Sequence, residues 1–342
     1  MKQKSRYAES GVDIEAGDRV KKRIAELARH THCDKVLHKD GAFGGLFALK
    51  GLKEKNPVLV SSVDGVGTKV KLACAAGRHK GIGADIVNHC INDILACGAR
   101  PLFFLDYFAC GRQNDEVVLQ LIEGMSDACR AAGMALIGGE TAQMPDVYAA
   151  DEYDVAGTIV GVVDELEIIN GKDIAPGDSI LGLPSSGLHT NGYTLARKVL
   201  LEENGFRLDD IPKGLSKTLG EELLTPHRSY LNEFQKIRAV APIKGVAHIT
   251  GGGFEGNISR ILPDNCQAAI HPNRWQTPQI FRLIQDLGRI SWEEMHRVFN
   301  MGIGIVFILS ARHEEKAKEV CPEAINIGEI TAGSGVTLIR ED

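Results

Sequence analysis

Residues 102–108 read Leu-Phe-Phe-Leu-Asp-Tyr-Phe, a run of side chains with almost no polar break. A strand with so little polar face has to be covered on both sides, which demands stacked layers of secondary structure. Shorter apolar runs stand at 58–63 and 135–137, and 153–163 is again β-rich. Between them, 84–97 and 116–131 carry helical spacing, the second with Asn114 or Asp115 as its cap. Cover can come from these helices or from the sheet of a second subunit, so a dimer is expected.

The segment 165–178 holds the turn signals Asn170-Gly171 and Pro176-Gly177. A boundary there divides the chain into domains 1–168 and 169–342, each of ordinary domain size. The second half shows a strand at 179–183, a Ser/Gly/His loop, a helix at 193–203, a Thr-Gly-Gly-Gly turn, a helix at 279–287 and a strand at 304–309. The expected class is α+β with two layers per domain. A formal net charge of -6 leaves no basic excess for a nucleic-acid partner. No apolar run approaches the ~18 residues of a membrane span, and Met1 to Ser10 has no apolar leader core. The chain is therefore expected to be cytosolic. Its eight cysteines form no C-x-x-C pair and read as buried thiols. The His30-Thr31-His32-Cys33 cluster lacks a second half with zinc-ligand spacing and reads as a loop after a helix.

Chemistry-bearing residues gather in a few places. Asp64-Gly65-Val66-Gly67-Thr68-Lys69 follows a strand, with glycines for close backbone approach, a hard carboxylate for Mg²⁺ and a lysine for phosphate. Its spacing is not that of a Walker loop, and a plain Gly-rich turn is the competing reading. The 84–97 helix has a core face of Val87, Cys90, Ile91, Ile94 and Leu95. Opposite stand Asp85, Asn88, His89, Asn92 and Asp93. A solvated face would use better helix formers, so these residues read as kept for ligands, with Asp93 as a second metal carboxylate. Gly138-Gly139-Glu140-Thr141-Ala142 reads as a turn at a strand's end carrying a third acidic group. Gly41-Ala42-Phe43-Gly44-Gly45 reads as a mobile lid or a flexible loop. In the second half, Ser185-Ser186-Gly187-Leu188-His189-Thr190-Asn191-Gly192 precedes a helix and suits a sugar phosphate, or else serves as an elaborate cap by Asn191. Thr250-Gly251-Gly252-Gly253 is a second phosphate cradle or a tight turn.

Taken in order, these motifs resemble the aminoimidazole ribonucleotide synthetase (phosphoribosylformylglycinamidine cyclo-ligase) family nearly end to end. The series opens at Tyr7-Ala8-Glu9-Ser10-Gly11-Val12-Asp13-Ile14. It passes through Phe43-Gly44-Gly45-Leu46-Phe47, the 62–69 loop, Asn92-Asp93-Ile94, 101–107 and 138–141. It closes on 185–193, His248-Ile249-Thr250-Gly251-Gly252-Gly253 and Phe299-Asn300-Met301-Gly302. The resemblance implies a homodimer whose N-terminal sheets close into a shared barrel, and a C-terminal mixed sheet with helices. It also implies ATP, Mg²⁺ and often K⁺, with a phosphoribosyl small molecule as substrate. On it, Gly44, Gly45, Asp64, Gly65, Gly67, Thr68, Lys69, Asn92 and Asp93 serve the nucleotide. Asp64, Asp93 and Glu140 serve the metal, while Ser185, Ser186, His189, Thr190, Asn191, Glu140 and Thr141 serve the substrate. Lys69, His189 and Asn191 are the catalytic candidates. Two positions depart from the family pattern: Gln143 and Gly256 stand where carboxylates are usual. A related small-molecule kinase and a non-catalytic nucleotide-binding dimer are the competing functions.

Overall fold

The structure, a computed structural model, describes residues 14–37 and 43–340. Tyr7 to Asp13 of the opening motif and Gly41 and Ala42 of the glycine loop lie outside the described residues. The chain divides into two compact units, one built from residues up to Cys90 and Pro101–Val162, the other from Ile91–Arg100 and Val163 onward.

Unit 1 runs α1 (Ile14–Arg29), β1 (Pro57–Gly65), α2 (Lys69–Ala76), α3 (Lys80–Leu95), β2 (Arg100–Cys110), α4 (Asp115–Ala131), β3 (Ala135–Gln143) and β4 (Tyr153–Asp164). The last five residues of α3 group with unit 2. Its sheet has the order β1-β4-β2-β3, with β2 and β3 parallel. Helix α4 starts where Asn114 caps it, its side chain accepting from the Glu116 backbone N–H at 3.1 Å. Helices α3 and α4 cross closely because Gly83 and Gly124 face each other's backbones. A Cβ on Gly83 would stand 1.9 Å from the Leu121 carbonyl oxygen.

Strand β2 obeys the two-residue period. Phe104, Asp106 and Phe108 are buried on one face, whereas Tyr107 on the other is 40% exposed. Leu59 and Val63 on β1 are also exposed. Phe47 lies against Phe103. The both-sided cover expected from the apolar run is thus supplied on one face by α3 and α4, and the other face stays largely open among the described residues.

Two readings change. Residues 138–142 are not a turn: β3 continues through them, pairing Gly139 with Asp106 and Glu140 with Tyr107. Nor is the polar side of α3 a free ligand-binding face, since Asp85, His89 and Asn92 are buried and engaged with protein groups.

Asp106 is the buried polar residue of β2. Burial pushes its carboxyl from 3.8 up to about 7, with nearby Glu140 adding to the rise. A carboxyl raised by folding contributes stability that is complete below about pH 4 and is lost as pH climbs through 7. The displacement corresponds to about 4 kcal/mol at most. Asp106→Asn is therefore expected to flatten the fall in stability between pH 4 and 8, measured by denaturant unfolding across that range. An unchanged pH profile would rule the account out.

Unit 2 runs β5 (Asp178–Pro184), α5 (Tyr193–Arg197), α6 (Leu219–Leu223), α7 (Leu231–Val240), β6 (Ile243–His248), α8 (Gly253–Ile258), β7 (Cys266–Ile270), α9 (Gln279–Gly288), α10 (Trp292–Val298), β8 (Ile303–Ser310), α11 (Glu314–Val320), β9 (Ile325–Ala332) and β10 (Gly335–Leu338). Its mixed sheet has the order β10-β7-β9-β5-β8-β6. β10 and β7 are parallel, and β7 with β9, β9 with β5, β5 with β8 and β8 with β6 are antiparallel. Ile303 to Leu309 are all buried on β8, as a strand covered on both faces should be. Helix α5 continues as a π-helical stretch over Lys198–Glu203. No described helix is long and apolar enough to cross a membrane.

Candidate active site

In unit 1, Asp64 ends β1. One oxygen accepts from the Gly65 N–H at 2.7 Å and the other lies 2.9 Å from His89 Nε2 on α3. The side chain is still 42% exposed, so its carboxylate is both oriented and accessible. Gly67 then takes a left-handed φ of 67°, and Thr68 opens α2. The backbone N–H groups of that first turn have no acidic side chain among them, leaving a positive helix end after a glycine turn.

Lys69 is placed differently from a surface phosphate ligand. Its side chain is fully buried, and its ammonium meets the equally buried Asp85 at 2.8 Å. Burial lowers its pKa, and Asp85 works in the opposite direction. Glu140 and Thr141 lie on β3, with Glu140 exposed. Gly45 passes so close to β3 that a Cβ would stand 2.8 Å from the Ile137 side chain, while one on Gly44 would meet open space. A cleft of about 920 Å³ in this unit, lined by Lys71, His79, Gln113 and Glu152 among others, takes in none of the expected site residues.

In unit 2, the 185–192 loop is tied down by residues that sequence reasoning left unassigned. Asn300, 3% exposed, donates to the Gly187 carbonyl at 2.9 Å and accepts from Ser185 Oγ at 3.0 Å. His189 sits at a φ of 62°, a conformation that costs a non-glycine residue energy and recurs at functional loops. Its Nε2 accepts from the Ser186 backbone N–H at 3.1 Å. A Cβ on Gly304 of β8 would fall 2.0 Å from the Tyr230 hydroxyl and 2.5 Å from the His189 ring, so only glycine leaves room for both. Asn191 does not cap α5, because Gly192 occupies that position. Its Oδ1 instead lies against Gly251, 3.3 Å from where a Cβ would be.

The end of α3 enters the same neighbourhood. Asn92 is buried and bonded to the backbones of Arg228 and Tyr230, at 2.8 Å and 3.0 Å. Asp93 Oδ1 lies 2.9 Å from His248 Nδ1. His227 lies between His189 and His248. Unit 2 therefore brings Asn92, Asp93, His189 and Thr190 together with the unforeseen His227 and His248, while Asn191 meets Gly251. Nothing in the local pattern around His227, Thr225-Pro226-His227-Arg228, marks it as functional. His248 was legible only as the opening residue of the triple-glycine motif.

The triple-glycine turn is tight. Gly252 and Gly253 have φ of 95° and 63°, and Asn257 Nδ2 donates to the Gly253 carbonyl at 2.7 Å. Of the two departing positions, Gln143 donates to Gln113 at 3.2 Å. A Cβ on Gly256 would meet nothing within 4 Å, so no steric constraint explains the glycine. All eight cysteines are free thiols.

Comparison with known proteins bears on the family of the chain. The model of the AIR synthase related protein N-terminal domain matches residues 47–163, and that of the C-terminal domain matches 175–341. A protein of Myxococcus xanthus named phosphoribosylformylglycinamidine cyclo-ligase is 48% identical over 333 residues, covering 96% of each chain. One of the same name from Caldanaerobacter subterraneus subsp. tengcongensis is 47% identical over 338 residues, covering 98% of this chain and all of the relative. Among solved structures, thiamine-monophosphate kinase from Stenotrophomonas maltophilia superposes with a TM-score of 0.67 over 94% of both chains at 18% identity. Hydrogenase maturation protein HypE in complex with ATP gives 0.65 over 90% of this chain and 84% of that one, also at 18% identity. The two structural likenesses speak for the fold, and the near-full-length sequence identity decides the family: this chain belongs to the AIR synthase related proteins, among the phosphoribosylformylglycinamidine cyclo-ligases.

Proposed function

We propose that this enzyme closes formylglycinamidine ribonucleotide to 5-aminoimidazole ribonucleotide at the expense of ATP, releasing ADP and phosphate, in purine biosynthesis. The observation that carries this reading is the near-full-length identity to proteins named for that reaction. The formyl amide carbon is a poor electrophile and its oxygen a poor leaving group. Phosphoryl transfer from ATP to that oxygen gives a group that can leave, and the substrate's own amidine nitrogen attacks the same carbon. Holding one molecule folded on itself supplies proximity that water cannot. Most of what the protein adds is positioning and charge stabilisation.

Several residues take roles in this reading. The glycine turn at 65–68 and the positive end of α2 would attract nucleotide phosphates, with the Gly65, Val70 and Lys71 N–H groups already bonded within the turn. Lys69, paired with Asp85, supports that turn from inside the unit. Asp64 and Glu140 in unit 1 and Asp93 in unit 2 are oxygen donors of the kind Mg²⁺ prefers, and the partial exposure of Asp64 and Asp93 fits that use. Mg²⁺ bound at such a carboxylate would neutralise charge on the transferring phosphoryl group. Ser186 and Asn191, both partly exposed, would hold the ribose phosphate or amide of the substrate, with the buried His189 and Thr190 setting the loop behind them. Potassium and a cytosolic location belong to the proposal on the family resemblance alone. The open face of the unit 1 sheet, with Leu59, Val63 and Tyr107 exposed, supports pairing with a second copy.

The test mixes protein, MgATP and formylglycinamidine ribonucleotide and measures ADP and the aminoimidazole together. Equal yields are expected. ADP without the imidazole would point to a kinase or hydrolase, and nucleotide binding with no phosphate release to a non-catalytic dimer.

A further inference from the structure

A buried row of side chains in unit 2 extends beyond the residues to which a role has been given. Asp93 Oδ1 lies 2.9 Å from His248 Nδ1, His248 Nε2 lies 3.0 Å from His227 Nε2, and His227 Nδ1 lies 3.3 Å from Thr190 Oγ1. His227 also stacks on His189, with ring centroids 3.9 Å apart and planes inclined by 20°. His189 and His227 are each 1% exposed and His248 is 6% exposed. From a different element, Asn92 Nδ2 reaches to 3.2 Å from His227 Nε2. The Asn92 amide cannot turn over, because Nδ2 donates to the Arg228 carbonyl and Oδ1 accepts from the Tyr230 N–H.

We infer that His227 is a positioning residue for the cyclisation, acting through His248 on Asp93 and through ring stacking on His189. A neutral imidazole has one N–H and one acceptor nitrogen, so a 3.0 Å contact between two Nε2 atoms needs one ring to donate and the other to accept. The contact fixes the His248 ring about its own axis with Nδ1 facing Asp93. Thr190 Oγ1–H donates to His227 Nδ1, which leaves His227 Nε2–H to donate to His248 Nε2 and His248 Nδ1–H to face Asp93. Asn92, anchored to backbone, lies against the His227 ring as a steric stop. The direction of the Asp93 carboxylate is thereby set by a residue that does not touch it. Partners of this kind behind a functional carboxylate or imidazole alter activity by about 10- to 100-fold when removed. The three imidazoles also lie close enough together to suggest a metal centre. The stacking of His189 on His227 argues against one, since parallel rings point their nitrogen lone pairs along separate planes instead of toward a common ion.

The inference rests on the cyclo-ligase reading, and the test separates the two. The wild-type enzyme is first assayed for aminoimidazole formation, and failure there would defeat the reading of function. The variants are then His227→Leu, which keeps bulk but no polar atom, and His227→Gln, whose terminal amide reaches the place of Nε2. His227→Leu is expected to lower kcat about 10- to 100-fold with KM for ATP little changed, and His227→Gln to recover most of that loss. In proton NMR, the downfield ring N–H signal of His248 facing Asp93 should persist in His227→Gln and shift or vanish in His227→Leu, whether or not turnover is measured. Unchanged kcat in His227→Leu, or equal losses in both variants, would overturn the inference. So would an equivalent of transition metal that stays with the purified wild type and is absent from His227→Gln.

Discussion

Replacing Asp93 by Asn should remove at least 99% of the cyclisation activity and leave the protein folded. Asparagine matches aspartate in size and still offers an oxygen to His248 Nδ1, 2.9 Å away in the native site, so the packing has no reason to change. Only the negative charge is lost. At a partly exposed position, 26% for this side chain, that costs little stability because water still reaches the group. Catalysis is another matter, since on the proposed reading this charge acts on a transferring phosphoryl group, where it is worth most. A hundredfold loss corresponds to about 2.7 kcal/mol of transition-state stabilisation, within the range of a single electrostatic contact. Steady-state kinetics at saturating MgATP gives the activity, and a thermal unfolding scan shows whether the fold survived. Wild-type turnover in Asp93→Asn would take this carboxylate out of the chemistry.

Much of the fold could be read from the chain because its strongest signals are local. The 102–108 run, the Asn114 cap and the helical spacing of 116–131 are each settled by their own residues, and the structure puts β2 and α4 there. Elements whose signal is non-local were missed. β6 reads Ile-Lys-Gly-Val-Ala-His and β10 only Gly-Val-Thr-Leu, and neither alternates clearly enough to stand out. They are strands because β8 and β7 pair with them. The 138–142 error has the same origin. Two consecutive glycines signal a turn locally, yet β2 offers them a parallel partner, and Gly139 lies tight against the Asp106 carboxyl.

The site divides along similar lines. Asn92 and Asp93 could be singled out because poor helix formers stand where a solvated face would favour others, and Asp64 and His189 because each sits in a glycine-bearing loop next to a strand or helix. The helix that made Asn92 and Asp93 conspicuous also misled, because partners buried in the protein explain its polar face as well as a ligand does. His227 comes from a loop and His248 from the end of β6, both remote in sequence, and their importance exists only once Asn92 and Asp93 are seen beside them. Asn300 is of the same kind: its role is to hold the 185–192 loop from a place more than a hundred residues away.

Lys69 stands in its motif but is fully buried against Asp85, and its removal should give a large stability change. The ammonium and the Asp85 carboxylate are both fully buried and 2.8 Å apart. Desolvation of two such charges is offset in large part by their pairing, so deleting one removes the main compensation for the other in a medium of low polarisability. Lys69→Met is expected to cost about 3–5 kcal/mol, a large share of the ~5–15 kcal/mol that holds a typical domain together. The double variant Lys69→Met with Asp85→Leu removes both charges at similar volume and should return most of that loss. Denaturant unfolding of the two variants beside wild type measures both quantities. A ligand lysine behaves in the opposite way: freed from phosphate duty, Lys69→Met would weaken ATP binding, leave unfolding unchanged and gain nothing from Asp85→Leu. That pattern would move the ammonium out of the interior and back to the nucleotide. The expected pattern makes it the internal support of the turn between β1 and α2.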